Sequence, residues 1–407
     1  MRSLFSPRGA PHTAWATGRG TVRAAGAVAA AAALVGALPR AGCAQGSLSG
    51  QGYGYPTGQL STRALGMGGG IAEFDPLSPI NPAEIASFGR TTLAFQYDPE
   101  FRTVQAGGQT AHNTIARFPV LSVGVPFRQR FTFGFSASTF LDRSFTTQYM
   151  DSALVGGQRV QTNEDIESRG SISDLRFGLG AYVTRWLRVG AAVHRLTGRN
   201  RLVSGRAFNG SDTLQFGSVS DSSTLSFTGS QVSAGAELTP VRGVSVAGSL
   251  RRGGGMRTER NDSVVTRADA PDRYGIGLRI DRITGATIAA SYARTRWSNM
   301  STLGTNLDAR DTHELMGGVE AVGPTVGSAP LILRAGLRRR TLPFGLAGAQ
   351  IRENDYSGGL GLPLSGGRAL ADLAVQHATR TPEGGTAAVQ AASERAWTLS
   401  LGFTLRP

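Results

Sequence analysis

The 407-residue chain has a single cysteine, no lysine and only one long apolar run. With Cys43 as its sole cysteine, it has no disulfide framework to hold a fold together. Without lysine, it cannot form a phosphate-binding loop of the P-loop type. After residue 44 no apolar stretch approaches the roughly 18 residues that indicate a transmembrane helix. These absences exclude a disulfide scaffold, a P-loop nucleotide-binding protein and a helical membrane protein.

Basic charge is carried by arginine alone. The formal net charge of +14 falls to +9 once the five arginines of residues 1–44 are removed. Biased codon usage accounts for this preference, and no nucleic-acid partner is predicted. None of the five histidines lies in an HExxH motif, and residues 134–138 lack the final glycine of a nucleophile elbow. We therefore predict no enzyme activity, no metal site and no cofactor.

Residues 1–44 have the composition of a secretory signal peptide. Arginines without any acidic residue accompany an apolar run from Ala24 to Leu38. This run of about 15 residues is shorter than the roughly 20 that a spanning helix needs. Cleavage is predicted after Ala44. Acylation of Cys43 is the alternative, although Arg40 stands where a lipoprotein signal has an aliphatic residue.

The remaining chain is predicted to be all-β. Fourteen short segments of alternating polarity follow one another from residue 91, and the first, second and twelfth are 91–97, 115–125 and 354–363. In the last segment, the apolar positions are Trp397, Leu399, Leu401, Phe403 and Leu405. Such alternation is typical of a transmembrane barrel, whose residues face lipid and lumen in turn. A soluble β-sandwich would also alternate.

Two features favour a transmembrane antiparallel β-barrel of the outer membrane. The partner faces are rich in glycine, and Trp186, Trp297 and Trp397 fall at strand ends, where aromatic girdles lie. Short turns, assigned to the periplasm, alternate with long loops, assigned to the outside. The long loops are predicted at 147–170, 201–222, 258–271, 299–311 and 381–393.

Residues 45–90, between the leader and the first strand, have a different composition. The part from 61 to 89 reads STRALGMGGGIAEFDPLSPINPAEIASFG. Asp75 and Pro76 predict a turn, and Asn81 before Pro82 predicts a helix start with an asparagine N-cap. The ALGMGG motif, the acidic turn and the following NPA motif resemble the N-terminal hatch of FadL-type outer-membrane transporters and of the related PorV/PorQ-like barrels.

The resemblance implies a 14-stranded barrel over residues 91–407, with residues 45–90 as a hatch inside it. It implies that hatch residues fix the shape of the plug and take part in gating: Gly66, Gly68, Gly69, Gly70, Asn81, Pro82 and Ala83. It also implies uptake of a hydrophobic compound through a gap in the barrel wall. The terminal strand resembles the signal read by the barrel-assembly machinery, which is an expected partner.

Two positions are candidates for such a gap. Pro119 would interrupt the pairing of the second strand, and Gly358 and Gly359 would weaken the twelfth. The predicted outer loops are polar, which leaves two other functions open. One is docking of secreted proteins, as in PorV-like barrels, and the other is general diffusion through a porin.

Charges of both signs occupy the polar faces of the predicted strands. The predicted lumen charges are Arg176, Arg188, Arg279, Arg334, Arg338, Glu314, Glu320 and Asp372. They are interpreted as a network of ion pairs around the hatch or as a constriction that selects anions. Other arginines are expected to meet the phosphates of outer-membrane lipids such as lipopolysaccharide at the outer rim. These are Arg195, Arg199, Arg201, Arg251, Arg252, Arg257, Arg294, Arg296, Arg338, Arg339 and Arg340.

Overall fold

The computed structural model describes residues 48–407, apart from 129, 156–157, 210–217, 304–307 and 328. The predicted signal peptide therefore lies outside the described residues. Strands form one antiparallel sheet that closes on itself. The closing ladder joins the last strand to the first, from Leu405 opposite Leu93 to Ser393 opposite Gln105.

The barrel has fourteen strands, of which three are interrupted. Their bounds are β1 Thr92–Ala106, β2 Gln109–Arg117 with Val120–Phe127, β3 Phe131–Asp142 with Phe145–Val155, β4 Gln158–Thr184, β5 Leu187–Asn209, β6 Val219–Val241, β7 Val244–Arg260, β8 Ser263–Asp269 with Asp272–Ile283, β9 Ala286–Arg296, β10 Thr312–Val326, β11 Ala329–Thr341, β12 Gln350–Leu364, β13 Ala369–Glu383 and β14 Ser393–Leu405. Strands that follow one another in sequence pair around the wall. The predicted 14-stranded barrel is confirmed.

The exposure of side chains is the reverse of that in a soluble protein. Phe95, Phe133 and Phe177 on the outer face are 52%, 52% and 58% exposed. Charged side chains that face the lumen, such as Glu353 and Arg380, are at most 1% exposed. A protein in water buries its aromatics and exposes its charges. The wall is therefore built for lipid outside and polar groups inside, which excludes the soluble sandwich.

The long loops expected at 147–170, 201–222 and 258–271 are largely strand in the described residues. They continue the wall as hairpins that project beyond the membrane, and β4 alone is 27 residues long. A membrane crossing needs only about 9–11 residues of strand. Both faces of these extensions carry polar residues, since even the buried inner positions of β4 are Thr162, Glu164 and Ser168. Their sequence therefore loses the apolar alternation that identifies a membrane strand. The loop prediction was wrong for this reason.

Helical segments are short. The α-helices are α1 Thr62–Gly66 and α2 Ala387–Gln390, and 3₁₀ turns occur at Leu48–Gly50, Ala72–Phe74, Pro82–Ser87, Trp297–Leu303 and Ser365–Gly367. In the part of the chain that the structure describes, no helix is long and apolar enough to cross a membrane.

Candidate functional site

Residues 48–90, called the hatch below, run through the lumen from the end with long hairpins to the end with short turns. At the outer end, the backbone N–H of Ser49 donates to Oε2 of Glu394 at 3.0 Å. At the inner end, Phe88 packs against Gly124 just before the chain enters β1. Almost every hatch residue from 59 to 86 is buried. The hatch therefore plugs the barrel.

The hatch glycines lie where the hatch approaches the wall most closely. Gly68 and Gly69 follow α1 with φ values of 59° and 81°, which glycine adopts most readily. The wall opposite is glycine too. A Cβ on Gly318 would lie 2.8 Å from Cβ of Met67 and closer still to its carbonyl oxygen. Contact between two backbones, with no side chain between them, explains the glycine-rich inner faces.

Gly66 makes a similar close contact with the wall. This contact bears on the prediction of a wall gap at Gly358 and Gly359. A Cβ on Gly66 would lie 3.3 Å from Cα of Gly359. Gly358 and Gly359 were a candidate wall gap, but the structure shows no break there. Gly358 pairs with Ala335 on one side and with Val375 on the other. Glycine at position 359 makes room for the hatch and does not open the wall.

The NPA motif begins the last hatch helix. Oδ1 of Asn81 accepts a hydrogen bond from the backbone N–H of Ala83 at 3.0 Å, and its Nδ2 donates to the carbonyl of Glu73 at 2.9 Å. Pro82 is the first residue of this 3₁₀ turn. The Asn81 side chain also lies against Gly235 of β6. Asn81 thus ties two hatch turns to each other and to the wall.

A two-residue strand, Tyr55–Pro56, pairs antiparallel with β3 above the level of Pro119 and is called the strap below. Tyr55 pairs with Asp142, and Pro56 pairs with Leu141. The Tyr55 hydroxyl donates to Glu353 at 2.9 Å and accepts from Nη2 of Arg340 at 2.5 Å. Burial raises the pKa of this phenol, so it remains protonated as a donor.

Four guanidinium groups enclose the ring of Tyr55. They lie 4.5 to 5.5 Å from its centroid and belong to Arg102, Arg117, Arg340 and Arg380. The carboxylates of Glu100, Asp142, Glu353 and Glu394 neutralise them. Removing one partner of such a buried network typically costs about 3–5 kcal/mol. The strap is therefore held by charge as well as by strand pairing.

The sequence does not predict this cage, because its residues flank the predicted strand edges. The first predicted strand ended at residue 97, before Glu100 and Arg102, and the twelfth began at 354, just after Glu353. The period-2 alternation places all three on the lumen side once β1 and β12 are extended. Tyr55 carried no sequence signal of its own.

The wall is interrupted at Pro119. The lower half of β2, Val120–Phe127, pairs with both β1 and β3, whereas the upper half, Gln109–Arg117, pairs with β1 only among the described residues. The last backbone hydrogen bond to β3 joins the N–H of Thr139 to the carbonyl of Pro119 at 3.0 Å. Proline has no N–H to continue the ladder. Above Pro119, β2 and β3 are therefore not paired with each other in the described residues.

Side chains and the strap cover the break from the inside. Arg117 on one edge donates to Asp142 on the other at 2.6 Å, and Pro56 lies against β3 at the same level. On the outside, Phe118 is 72% exposed, with its ring centroid 5.0 Å from that of Tyr97. The break therefore opens towards an apolar outer surface and is closed by the hatch.

An apolar cluster lies above the hatch. Phe140 and Trp297 stack with centroids 5.4 Å apart, and Tyr53, Phe227 and Phe344 pack around them. Trp297 was expected in the outer aromatic girdle but is only 4% exposed and faces the lumen. It lies in the 3₁₀ turn that leaves β9 and bends inward, which alternation along the strand does not predict. A cavity of about 50 Å³ lies beneath this cluster.

All eight predicted lumen charges point inward. Arg334 bridges Glu320 at 2.7 Å and Asp372 at 2.5 Å, and Arg338 lies 3.7 Å from Glu314. Arg188 reaches Glu84 of the hatch at 3.1 Å. The other two residues are Arg279, which pairs with Glu237 at 3.3 Å, and Arg176, which is buried. No group of side chains in the described ranges could hold a metal ion.

The arginines expected at the outer rim divide into two groups. Arg251, Arg338 and Arg340 are at most 5% exposed and face the lumen, so the rim prediction was wrong for them. Each stands next to an outward residue in an alternating strand, and a run such as 338–340 must place its ends on the same side. The remaining rim arginines, including Arg195 and Arg339, are on the outer face. Their contact with lipid phosphates stays a prediction.

The fold and this site define a fourteen-stranded outer-membrane barrel plugged by an N-terminal hatch. Among solved structures, a Pseudomonas aeruginosa FadL homologue is similar, with a TM-score of 0.59 and 12% identity over 86% of this chain and 99% of that chain. The Pseudomonas putida toluene transporter TodX is similar with a TM-score of 0.59 and 13% identity over the same shares. The resemblance to FadL-type barrels is therefore confirmed for the fold. No protein-family model and no curated protein matches the chain.

Proposed function

We propose that this protein carries hydrophobic small molecules across the outer membrane and releases them sideways through the break in β2. The observation that carries the proposal is the break at Pro119, which has an apolar cluster behind it and the strap across it. A wall without a passage would need no interruption at this level. A barrel edge left unpaired is otherwise avoided in membranes.

The chemistry of the lumen supports a sideways exit. Buried ion pairs such as Arg334 with Asp372 and Arg188 with Glu84 occupy the path straight down through the barrel. An apolar solute gains nothing from these groups and would have to displace them. The break instead leads from the aromatic cluster to an outer surface that carries Phe118 and Tyr97. The similar fold of TodX, a toluene transporter, is consistent with transport of an apolar solute.

The strap is the element that must move. The cavity beneath Trp297 measures about 50 Å³, whereas pockets for small ligands measure about 300–1,000 Å³. In the closed arrangement this cavity therefore has no room for cargo. Displacing Tyr55 and Pro56 from β3 would enlarge this cavity and leave only the Arg117–Asp142 ion pair across the break.

A disulfide across the strap tests this proposal. Pro56 and Leu141 are directly paired, so Pro56→Cys with Leu141→Cys places two Cα atoms about 4.5–5.5 Å apart, within disulfide range. We expect uptake of a radiolabelled monoaromatic hydrocarbon by cells to fall at least about tenfold on oxidation and to recover with reductant. The matched control is Leu278→Cys with Ala290→Cys, a paired position in the wall between β8 and β9.

The outcomes separate the remaining functions. Uptake that is insensitive to oxidation, while the disulfide forms, would refute the strap as a gate. Conductance for small ions that is high in both redox states would indicate a diffusion porin. Normal ion exclusion with no hydrocarbon uptake in the unmodified protein would leave docking of secreted proteins as the function to test.

A further inference from the structure

Arg176 on β4 is a buried arginine without a carboxylate of its own. It is 4% exposed, and its Nη1 atom is fully buried with no hydrogen-bond partner. Among the described residues, it forms no ion pair. By contrast, the buried guanidiniums of Arg102 and Arg380, which enclose the ring of Tyr55, each have a carboxylate within 3 Å.

The nearest carboxylate, Asp174, is already used by other groups. It accepts from Nδ1 of His194 at 2.9 Å, from Nε2 of Gln59 at 2.9 Å and from Nη1 of Arg251 at 3.3 Å. Two guanidinium groups therefore share one negative charge. Arginine does not lose its proton in proteins, so this region keeps an excess of one buried positive charge. A buried charge of this kind is unfavourable unless a counter-charge lies beside it.

A small cavity adjoins Arg176 between the wall and the hatch. Its volume is about 10 Å³, close to that of a single water-sized atom. The hydroxyl of Ser136, directly opposite Arg176 in the β3–β4 ladder, also lines it and has no hydrogen-bond partner in the described part of the chain. The hatch side is apolar and consists of Pro76, Pro79, Ile85 and Phe88. Two unused donors thus border a cavity whose other walls are largely hydrophobic.

We propose that this cavity binds one monatomic anion, chloride under ordinary conditions, between the guanidinium of Arg176 and the hydroxyl of Ser136. The anion supplies the missing negative charge and lies under the hatch, so it stabilises the closed arrangement. Donors from a cation and a hydroxyl suit a halide, and a space of about one water-sized group favours a monatomic ion over sulfate or a carboxylate. This site is separate from the proposed passage and does not depend on transport.

Two measurements on the refolded mature chain test the site. In crystals soaked in bromide, we expect an anomalous peak in hydrogen-bonding contact with Nη1 of Arg176 and Oγ of Ser136. In detergent, we expect the thermal unfolding midpoint to rise by on the order of a few degrees when chloride replaces gluconate at constant ionic strength. Arg176→Met should abolish this rise. Arg169→Met, which removes an exposed arginine paired with Glu167, should keep it.

The result that would overturn the proposal is equally specific. No bromide peak at Arg176, together with a midpoint that is the same in chloride and gluconate, would show that water alone occupies the cavity. An equal rise in the wild type and in Arg176→Met would show a general salt effect. If Arg176→Met does not fold, Ser136→Ala provides the second variant, and a weakened bromide peak is expected there.

Discussion

Adding one methyl group to the inner face of the wall, at Gly318, should weaken the packing of the hatch against the barrel. Gly318→Ala places a Cβ against the carbonyl of Met67, where two backbones touch and neither can rotate away. Overpacking of this kind typically costs about 1–3 kcal/mol. We expect the barrel to fold but the hatch to detach more often. The measurement is planar-bilayer conductance, in which openings should become at least about five times more frequent.

The neighbouring residue is a matched control for this substitution. Gly317 lies in the same strand and faces outward, and a Cβ there meets no atom within 4 Å. Gly317→Ala should leave the conductance record unchanged. If both variants behave alike, the close approach between hatch and wall does not hold the hatch closed.

Some residues of this site could be predicted from the sequence because of their own chemistry, whereas others could not. Pro119 acts through its missing N–H, which interrupts the ladder, and Asn81 acts through its side chain, which caps a helix, so each is visible without the fold. The pairing of Gly318 with Met67 joins residues about 250 positions apart, which the sequence alone does not place together. Local chemistry can be predicted from local sequence, whereas contact between hatch and wall needs the closed barrel.

At the scale of single elements, the position of the strap depends on the hydroxyl group of Tyr55. Tyr55→Phe keeps the ring between its four guanidiniums but leaves Glu353 and Arg340 without the phenol oxygen. Hydrogen bonds to charged groups contribute about 1.5–3 kcal/mol. We expect faster hydrogen–deuterium exchange of peptides that contain residues 53–58, by at least about tenfold.

The wall itself supplies the control for the strap. Tyr356 of β12 is 66% exposed on the outer face, so Tyr356→Phe should leave exchange in the strap unchanged. Unaltered exchange in Tyr55→Phe would mean that ring contacts and strand pairing, and not the hydroxyl, hold the strap. The disulfide experiment would then remain valid, because it acts on Pro56 and Leu141.

Strands were the elements best predicted from the sequence. Alternation located each membrane crossing, because lipid on one side and polar groups on the other impose a period of two. It failed where that contrast disappears, in the polar extension of β4 and in the turn at Trp297. The predicted edges of β1 and β12 stopped short of Arg102 and Glu353, and the cage around Tyr55 was lost with them.

At the scale of the whole molecule, the hatch is a charge-bearing plug, and its removal should both open the barrel and set its selectivity. Glu73 and Glu84 of the hatch pair with Arg273 and Arg188 of the wall. Deleting residues 45–90 removes these carboxylates and leaves the wall arginines facing an empty lumen. Rings of arginine favour anions in pores. We therefore expect steady open conductance with a reversal potential that shows anion preference, whereas the intact mature chain stays closed.

A deletion variant that conducts no better than the intact chain would show that the hatch is not the plug. An open pore that prefers cations would show that acidic groups of the wall, such as Glu320, dominate the lumen.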